Sequence, residues 1–248
     1  MTNIPKSHPR YDSLVLRERL VAGFNDGIVA AQGMIAHGRG ETFYYLLGER
    51  TTKEARTAER VAAALMLLAK NPVISVNGNV AALCPGEVVR LAEVTGAKIE
   101  VGLFHRSDQR VAKIQTVLED HGAKDVLGLL PDARLDGVDS MRGLCCGDGI
   151  HSADVVLIPL EDGDRAEALS RMGKKTIVVD LNPLSRTSRS GTVAIVDEVT
   201  KALPEISLFA EELEDDAPEQ ERLLTNYDRD ANLQAVMNVM QGNLGKLG

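Results

Sequence analysis

The sequence predicts an α/β protein, Rossmann-like, with a mostly parallel sheet, flanking helices and a helical N-terminal extension. Three observations predict this. Short β-prone runs recur from Pro72 onward, and amphipathic stretches of helical length separate them. The chain before Pro72 carries no comparable strand signal. Strands joined through helices of such length need right-handed crossovers, which make the sheet parallel and cover both its faces.

The elements follow in order. Leu14, Leu16, Leu20 and Val21 can share a face of a first helix, and a second apolar stretch runs from Ile28 to Ile35. Thr51 and Glu54 are spaced as a capping box, so a long helix is expected from Glu54 to Lys70. Strands are expected at Val73–Val76, Lys98–Gly102, Asp125–Leu129, Asp154–Ile158, Thr176–Val179 and Val193–Val196. The intervening helices open near Pro85, run from about Ser107 to His121, and run from about Asp164 to Met172. Residues 1–210 thus read as one α/β nucleotide-binding catalytic domain with a helical part at about 1–70. Residues 211–230 read as an acidic linker and 231–248 as a C-terminal helix.

Charge and composition narrow the function. Net charge is −8, but seven of the 36 acids lie in 211–221, leaving the rest nearly neutral against 28 bases. Such a run is a solvated segment. With no basic stripe, no Trp, four Tyr and four Phe, the chain lacks the equipment of a nucleic-acid binder. No apolar run approaches the roughly 18 residues of a membrane span. The polar, Pro-containing N-terminus does not resemble a signal peptide, so a cytoplasmic protein is expected. Three cysteines, two of them adjacent, make no disulfide framework and suit a reducing compartment. Cys145, Cys146 and His151 match no zinc spacing, so no Cys/His metal site is expected.

In a parallel sheet the chemistry belongs in the loops beyond the strands' carboxyl ends. Asn77-Gly78-Asn79 follows the first strand, offering two neutral amides around a flexible glycine. Glu161, Asp162, Asp164 and Arg165 crowd the loop after Ile158. That density of acid is costly unless a ligand or a cation such as phosphate-bound Mg²⁺ balances it. After Val179 comes Asp180-Leu181-Asn182-Pro183-Leu184-Ser185-Arg186-Thr187. A strand-end acid accepts from ribose hydroxyls, and a guanidinium fork matches phosphate. Asp197 ends the last strand similarly. Lys6, His8 and Arg10 cluster near the start, and Arg39 stands between two glycines. The run Gly33-x-x-x-x-Gly38-Arg39-Gly40 has the spacing of a phosphate loop, but it lacks the Lys-Ser/Thr ending and follows no strand.

The segments IPKSHPRY (4–11), GMIAHGRGE (33–41), VNGNVAAL (76–83), ADVVLIPLEDGDRAEAL (153–169), VVDLNPLSRTSRSGTVAIVDE (178–198) and YDRDANL (227–233) are similar to the archaeal phosphopantothenate synthetases, the 4-phosphopantoate–β-alanine ligases. The resemblance spans nearly the whole chain. It implies a Rossmann-like homodimer that converts ATP, 4-phosphopantoate and β-alanine to AMP, pyrophosphate and 4′-phosphopantothenate. It also implies an ATP site at Arg17, Arg39, Asp180, Leu181, Asn182, Arg186, Thr187, Asp197 and Glu198. At 198 the family pattern has Asn, a change that a main-chain contact would tolerate. ATP with Mg²⁺ is expected, and small molecules are the expected partners, with no nucleic acid and no membrane. For the substrate phosphate, Lys6, His8, Arg10 and Arg106 are the candidate cations. Asn77, Asn79, Asp162, Asp164 and Arg165 complete the expected substrate and Mg-phosphate surroundings. The sheet alone also admits an NAD(P)-binding oxidoreductase, against which the missing GxGxxG counts, or a non-catalytic nucleotide-binding module.

Overall fold

A computed structural model describes residues 4–245. Three helices come first: α1 (Tyr11–Asn25), α2 (Ala31–Leu47) and α3 (Lys53–Leu67). Next are β1 (Pro72–Val76), α4 (Gly78–Leu83), α5 (Pro85–Thr95), β2 (Lys98–Val101) and α6 (Asp108–Asp120). A short antiparallel pair, β3 (Ala133–Arg134) with β4 (Leu144–Cys145), lies apart from the main sheet. Alternation resumes with β5 (Val155–Pro159), α7 (Gly163–Arg171), β6 (Lys175–Val179), α8 (Arg186–Ser190) and β7 (Val193–Ile195). Three more helices close the chain: α9 (Val199–Leu213), α10 (Ala217–Asn226) and α11 (Arg229–Leu244).

The main sheet has the order β2-β1-β5-β6-β7, and every neighbouring pair is parallel. Both faces are covered, as the β-branched runs require. Ile74, Val76, Leu157, Ile177, Val179 and Ile195 share a core with residues of α3, α5, α6 and α9. The alternate positions Val73, Val156, Ile158, Val178 and Ala194 pack with residues of α2, α7 and α11. Each fully buried aliphatic side chain is worth about 1.5–3 kcal/mol relative to exposure. Among the described residues no helix is long and apolar enough to cross a membrane.

Several sequence expectations are corrected. The helix cap is Thr52, whose Oγ1 accepts from Ala55 N at 3.1 Å, whereas Thr51 donates to Asp197 Oδ2 at 2.5 Å. The expected strand Asp125–Leu129 contracts to one parallel bridge between Leu127 and Glu100. Asp125 at φ 52° and Gly128 at φ 119° bend the backbone away on either side. The acidic segment is not a plain linker: α9 runs to Leu213, and α10 occupies Ala217–Asn226. Asp216 caps α10, Pro218 sits in its first turn, and buried Gln220 donates to Leu213 O at 2.6 Å. The first two helices bury less than their apolar residues suggested, with Val21 and Ile35 exposed.

Candidate active site

Strand order reverses between β1 and β5, because the chain leaves β1 for β2 on one side and returns to β5 on the other. In open parallel sheets that reversal, at the strands' carboxyl ends, is where ligands lodge. A cleft of about 840 Å³ opens there, walled by α2 and by the loops after β1, β2, β5 and β6.

Asn77 ties the two central strands together. Its Nδ2 donates to Pro159 O at 3.1 Å and Leu160 O at 3.0 Å. Its Oδ1 accepts from Asn79 N and Val80 N, capping α4. Asn79 Nδ2 donates to Gly33 O at 2.9 Å, pinning α2 against the end of β1. A Cβ on Gly33 would lie 2.3 Å from Asn79 Oδ1, so this approach needs glycine. Two turns further along, Gly40 faces the Leu181 side chain. The run Gly33–Gly40 is therefore one helix face rather than a phosphate loop.

The acidic loop after β5 is partly balanced from within the protein. Arg142, only 5% exposed, donates through Nη1 to Asp164 Oδ2 at 2.8 Å. Its Nη2 reaches Asp162 Oδ2 at 2.6 Å and Glu161 Oε1 at 3.2 Å. Phe104 stacks beneath the same guanidinium, 4.2 Å from its ring centroid. Arg165 Nη1 takes Glu161 Oε2 at 3.0 Å. Arg142 and Arg165 thus supply two of the positive charges that these three acids call for. Asp162 Oδ1 is the carboxylate oxygen of this loop left without a protein donor among the described residues.

The loop after β6 is internally braced. Asp180 accepts from Asn182 N at 2.9 Å and Ser185 Oγ at 2.5 Å. Burial nevertheless pushes the Asp180 pKa up, against the pull of those two donors. Ser185 Oγ caps α8 through Ser188 N at 3.0 Å. Thr187 Oγ1 donates to Glu161 O at 2.8 Å, joining this loop to the acidic one. Arg186 grips Glu167 with both prongs, at 3.0 and 2.7 Å. Arg39 also lines the cleft, exposed and without an ion pair among the described residues.

Of the expected site residues, the cleft gathers Arg39, Asn77, Asn79, Asp162, Asp164, Asp180, Leu181, Asn182, Arg186, Thr187 and Glu198. Glu198 caps α9 through Thr200 N at 2.8 Å. The others lie elsewhere. Asp197 is fully buried, held by Thr51 and by Glu198 N at 2.8 Å. Arg165 is also fully buried, its guanidinium pressed where a Cβ on Gly102 would stand. Arg106 turns inward to Gly128 O at 2.6 Å and Leu129 O at 3.2 Å. Arg17 pairs with Glu41 at 2.8 Å, and Arg10 lies over the Tyr45 ring. Lys6 is exposed, and exposed His8 accepts from Arg10 N at 3.0 Å.

Sequence reasoning missed Arg142, Arg110, His37, His105, Phe43 and Phe104, all of which line the cleft. Arg110 is fixed by two carbonyls, Ile28 O at 2.7 Å and His105 O at 2.9 Å. The only signal for it was its place on the polar side of a helix that begins just beyond a strand end. The three cysteines are buried free thiols, and burial pushes Cys145 up to about 12, so none is an activated nucleophile.

An open parallel α/β fold with guanidinium groups and a strand-end carboxylate around its reversal point defines an enzyme class that handles phosphorylated small molecules. The comparisons narrow the class. The sequence profile of the phosphopantothenate/pantothenate synthetase family matches residues 54–243. The 4-phosphopantoate–β-alanine ligase of Methanosarcina mazei is 54% identical over 98% of this chain and 96% of its own. That of Methanospirillum hungatei is 56% identical over 86% of this chain and 87% of its own. That of Thermococcus kodakarensis is 47% identical over 100% of this chain and 95% of its own. The chain belongs to the phosphopantothenate/pantothenate synthetase family.

Proposed function

We propose that this protein uses ATP to join the carboxylate of 4-phosphopantoate to the amine of β-alanine, giving AMP, pyrophosphate and 4′-phosphopantothenate for coenzyme A synthesis. The observation that carries this reading is the whole-length match to the Methanosarcina mazei ligase, 54% identical across 98% of this chain.

A carboxylate is a poor acyl donor because its leaving group is oxide. Attack of the 4-phosphopantoate carboxylate on the α-phosphorus of ATP expels pyrophosphate and leaves a mixed anhydride. The amine of β-alanine then attacks that carbonyl, and AMP departs. The protein's work is positioning and charge balance, for which no side-chain nucleophile is needed.

The cleft suits both tasks. Asp180 with Leu181 and Asn182 is assigned to the nucleoside, its carboxylate facing ribose hydroxyls. Arg39, Arg186 and Thr187 are assigned to the phosphates, and the main chain of Glu198 to the nucleotide's far side. Arg17 and Asp197 act from behind, Arg17 through Glu41 on α2 and Asp197 by fixing Glu198 N. For the phosphate of 4-phosphopantoate, Arg110 and Asn79 replace Lys6, His8, Arg10 and Arg106 as the favoured contacts, since only the former pair lines the cleft. Mg²⁺ enters with ATP. It keeps most of its ligands as water and phosphate oxygen and needs one or two carboxylates, a role Asp162 fits through its free oxygen. Among the described residues no preformed cage of three His, Cys, Asp or Glu exists. The ion would neutralise phosphate charge as pyrophosphate leaves. A homodimer is proposed from the family resemblance, and sedimentation as a monomer at working concentration would refute it.

The test is AMP release with ATP, 4-phosphopantoate and β-alanine, omitting each in turn. AMP should appear only in the complete mixture. ATP binding without AMP release would reduce the protein to a binding module, and tight uptake of a nicotinamide dinucleotide instead would point to an oxidoreductase.

A further inference from the structure

We propose that His37 is the general base that takes the proton from the β-alanine ammonium, and that it acts in the amide-forming half of the reaction only. The inference rests on the ligase reading above and assigns a residue to its second step.

One face of α2 closes the cleft. Gly33, His37 and Gly40 are spaced by four and three residues, so they stack along one helix face. At one end of that face Gly33 is bound by Asn79, beyond β1. At the other, Gly40 meets the Leu181 side chain, beyond β6. His37 therefore stands midway between the arm assigned to 4-phosphopantoate and the arm assigned to the nucleotide. The acyl carbonyl and the α-phosphate must meet between those arms, and the attacking nitrogen must approach there.

Chemistry singles out the same residue. β-Alanine arrives as an ammonium ion, which has no lone pair, so one proton must leave before nitrogen attacks. The carboxylates of the cleft are committed elsewhere. Glu161, Asp162 and Asp164 are gathered on Arg142, and the remaining oxygen of Asp162 is the one assigned to Mg²⁺. Asp180 is held by Ser185 and Asn182, and Glu198 by Thr200. His105 is exposed at the rim and tilted against Phe104. The half-buried imidazole of His37 lines the cleft and makes no hydrogen bond among the described residues. Burial lowers its pKa; Glu41 on its own helix opposes this, and Arg17 on α1 reinforces it. The charged groups on the remaining walls are Arg39, Arg110, Arg186, Asp180, Glu198 and the Arg142 cluster, in which three carboxylates face the guanidiniums of Arg142 and Arg165 and leave a net negative charge. A neutral imidazole at physiological pH is the form a base requires.

The proton balance closes. The ammonium gives one proton to the free ring nitrogen of His37. The amine adds to the acyl carbon, forming the C–N bond. The tetrahedral adduct collapses, breaking the bond from acyl carbon to the AMP oxygen and releasing AMP. The nitrogen sheds its second proton to the departing phosphate or to water, and His37 returns its own to solvent through the open cleft.

Three measurements on His37→Gln test the assignment. The first is ATP–pyrophosphate exchange dependent on 4-phosphopantoate, which reads adenylation alone. The second is AMP formation with β-alanine across pH, and the third is hydroxamate formation with hydroxylamine, an amine already neutral at neutral pH. Exchange and hydroxamate formation should stay within about threefold of wild type, while β-alanine ligation falls about 100-fold at neutral pH. The wild-type ligation rate should rise with pH through a pKa below that of free imidazole and then level. The variant should keep climbing about tenfold per pH unit, following free amine. His37→Ala supplies a second variant, whose ligation should partly recover with added imidazole. The proposal is overturned if exchange and ligation fall together, if hydroxylamine is used as poorly as β-alanine, or if ligation is unchanged. A wild-type protein with neither exchange nor AMP release would instead sink the ligase reading, and this inference with it.

Discussion

Arg142 Nη2 lies 2.6 Å from Asp162 Oδ2, a contact between a buried guanidinium and a carboxylate that is 69% exposed. The asymmetry decides its energetics. The acid can return to water if released, but the arginine cannot. Replacing Arg142 by Met should leave Glu161, itself 9% exposed, without one of its two cationic partners and set three acids against each other. Breaking a buried pair from one side costs about 3–5 kcal/mol, and partial solvation of Asp162 and Asp164 favours the lower end. Denaturant unfolding should show a loss near 3 kcal/mol. A loss below about 1 kcal/mol would mean that Arg142 does not hold this loop.

How much of this was legible beforehand follows from what sequence patterns report. The sheet could be read because strands buried on both faces appear as continuous runs such as Val155–Ile158. The loops with Asn77 and Asp180 could be read because they follow those runs directly. Arg142 could not: it reaches the cleft from a single 3-10 turn, Met141–Gly143, between β3 and β4, too short to show a period in the sequence. Arg106 and Arg165 misled for the opposite reason. Both adjoin strand ends in sequence, but their side chains turn into the protein, one to the carbonyls of Gly128 and Leu129, the other beneath Gly102. Direction of a side chain is a tertiary property that spacing along the chain does not carry.

Gly163 sits where α7 begins, packed against the start of α8. A Cβ there would lie 2.4 Å from Arg186 Cβ and 3.2 Å from Thr187 N, so the backbone of α8 must give way. Gly163→Ala should cost about 1–3 kcal/mol and raise KM for ATP more than it lowers kcat. Gly173→Ala is the control. At φ 79° it meets open space, so it should cost about 1 kcal/mol of strain and leave KM for ATP alone. Equal KM effects would separate Gly163 from the nucleotide arm.

Arg186 and Glu167 form a two-pronged pair on the cleft's outer edge. Phosphate oxygens would compete with Glu167 for the same guanidinium. Arg186→Ala should weaken ATP binding or turnover at least about tenfold, from loss of charge-assisted contacts. Glu167→Gln should do the reverse, leaving KM for ATP unchanged or lower because the competitor is weakened. Wild-type kinetics in the arginine variant would remove Arg186 from the site.

Glu59 is fully buried on α3, and among the described residues neither of its carboxyl oxygens meets a nitrogen or hydroxyl donor. Its pKa is raised to about 9, by burial first and then by the negative charges of Asp197 and Glu205. Protonated, Glu59 is itself the donor, to the Asp197 carboxylate that Thr51 also engages. Its ordinary value is 4.5, so between that pH and about 9 the unfolded chain has released a proton that the folded protein keeps. Stability from this group is therefore full at acid pH, falls by up to about 1.4 kcal/mol per pH unit through that window, and is lost above it. Glu59→Gln retains a donor toward Asp197 but cannot ionise. Its unfolding free energy should decline less steeply from weakly acid to alkaline pH, and it should overtake the wild type on the alkaline side. Parallel pH–stability curves for the two proteins would show that Glu59 is already ionised in the fold.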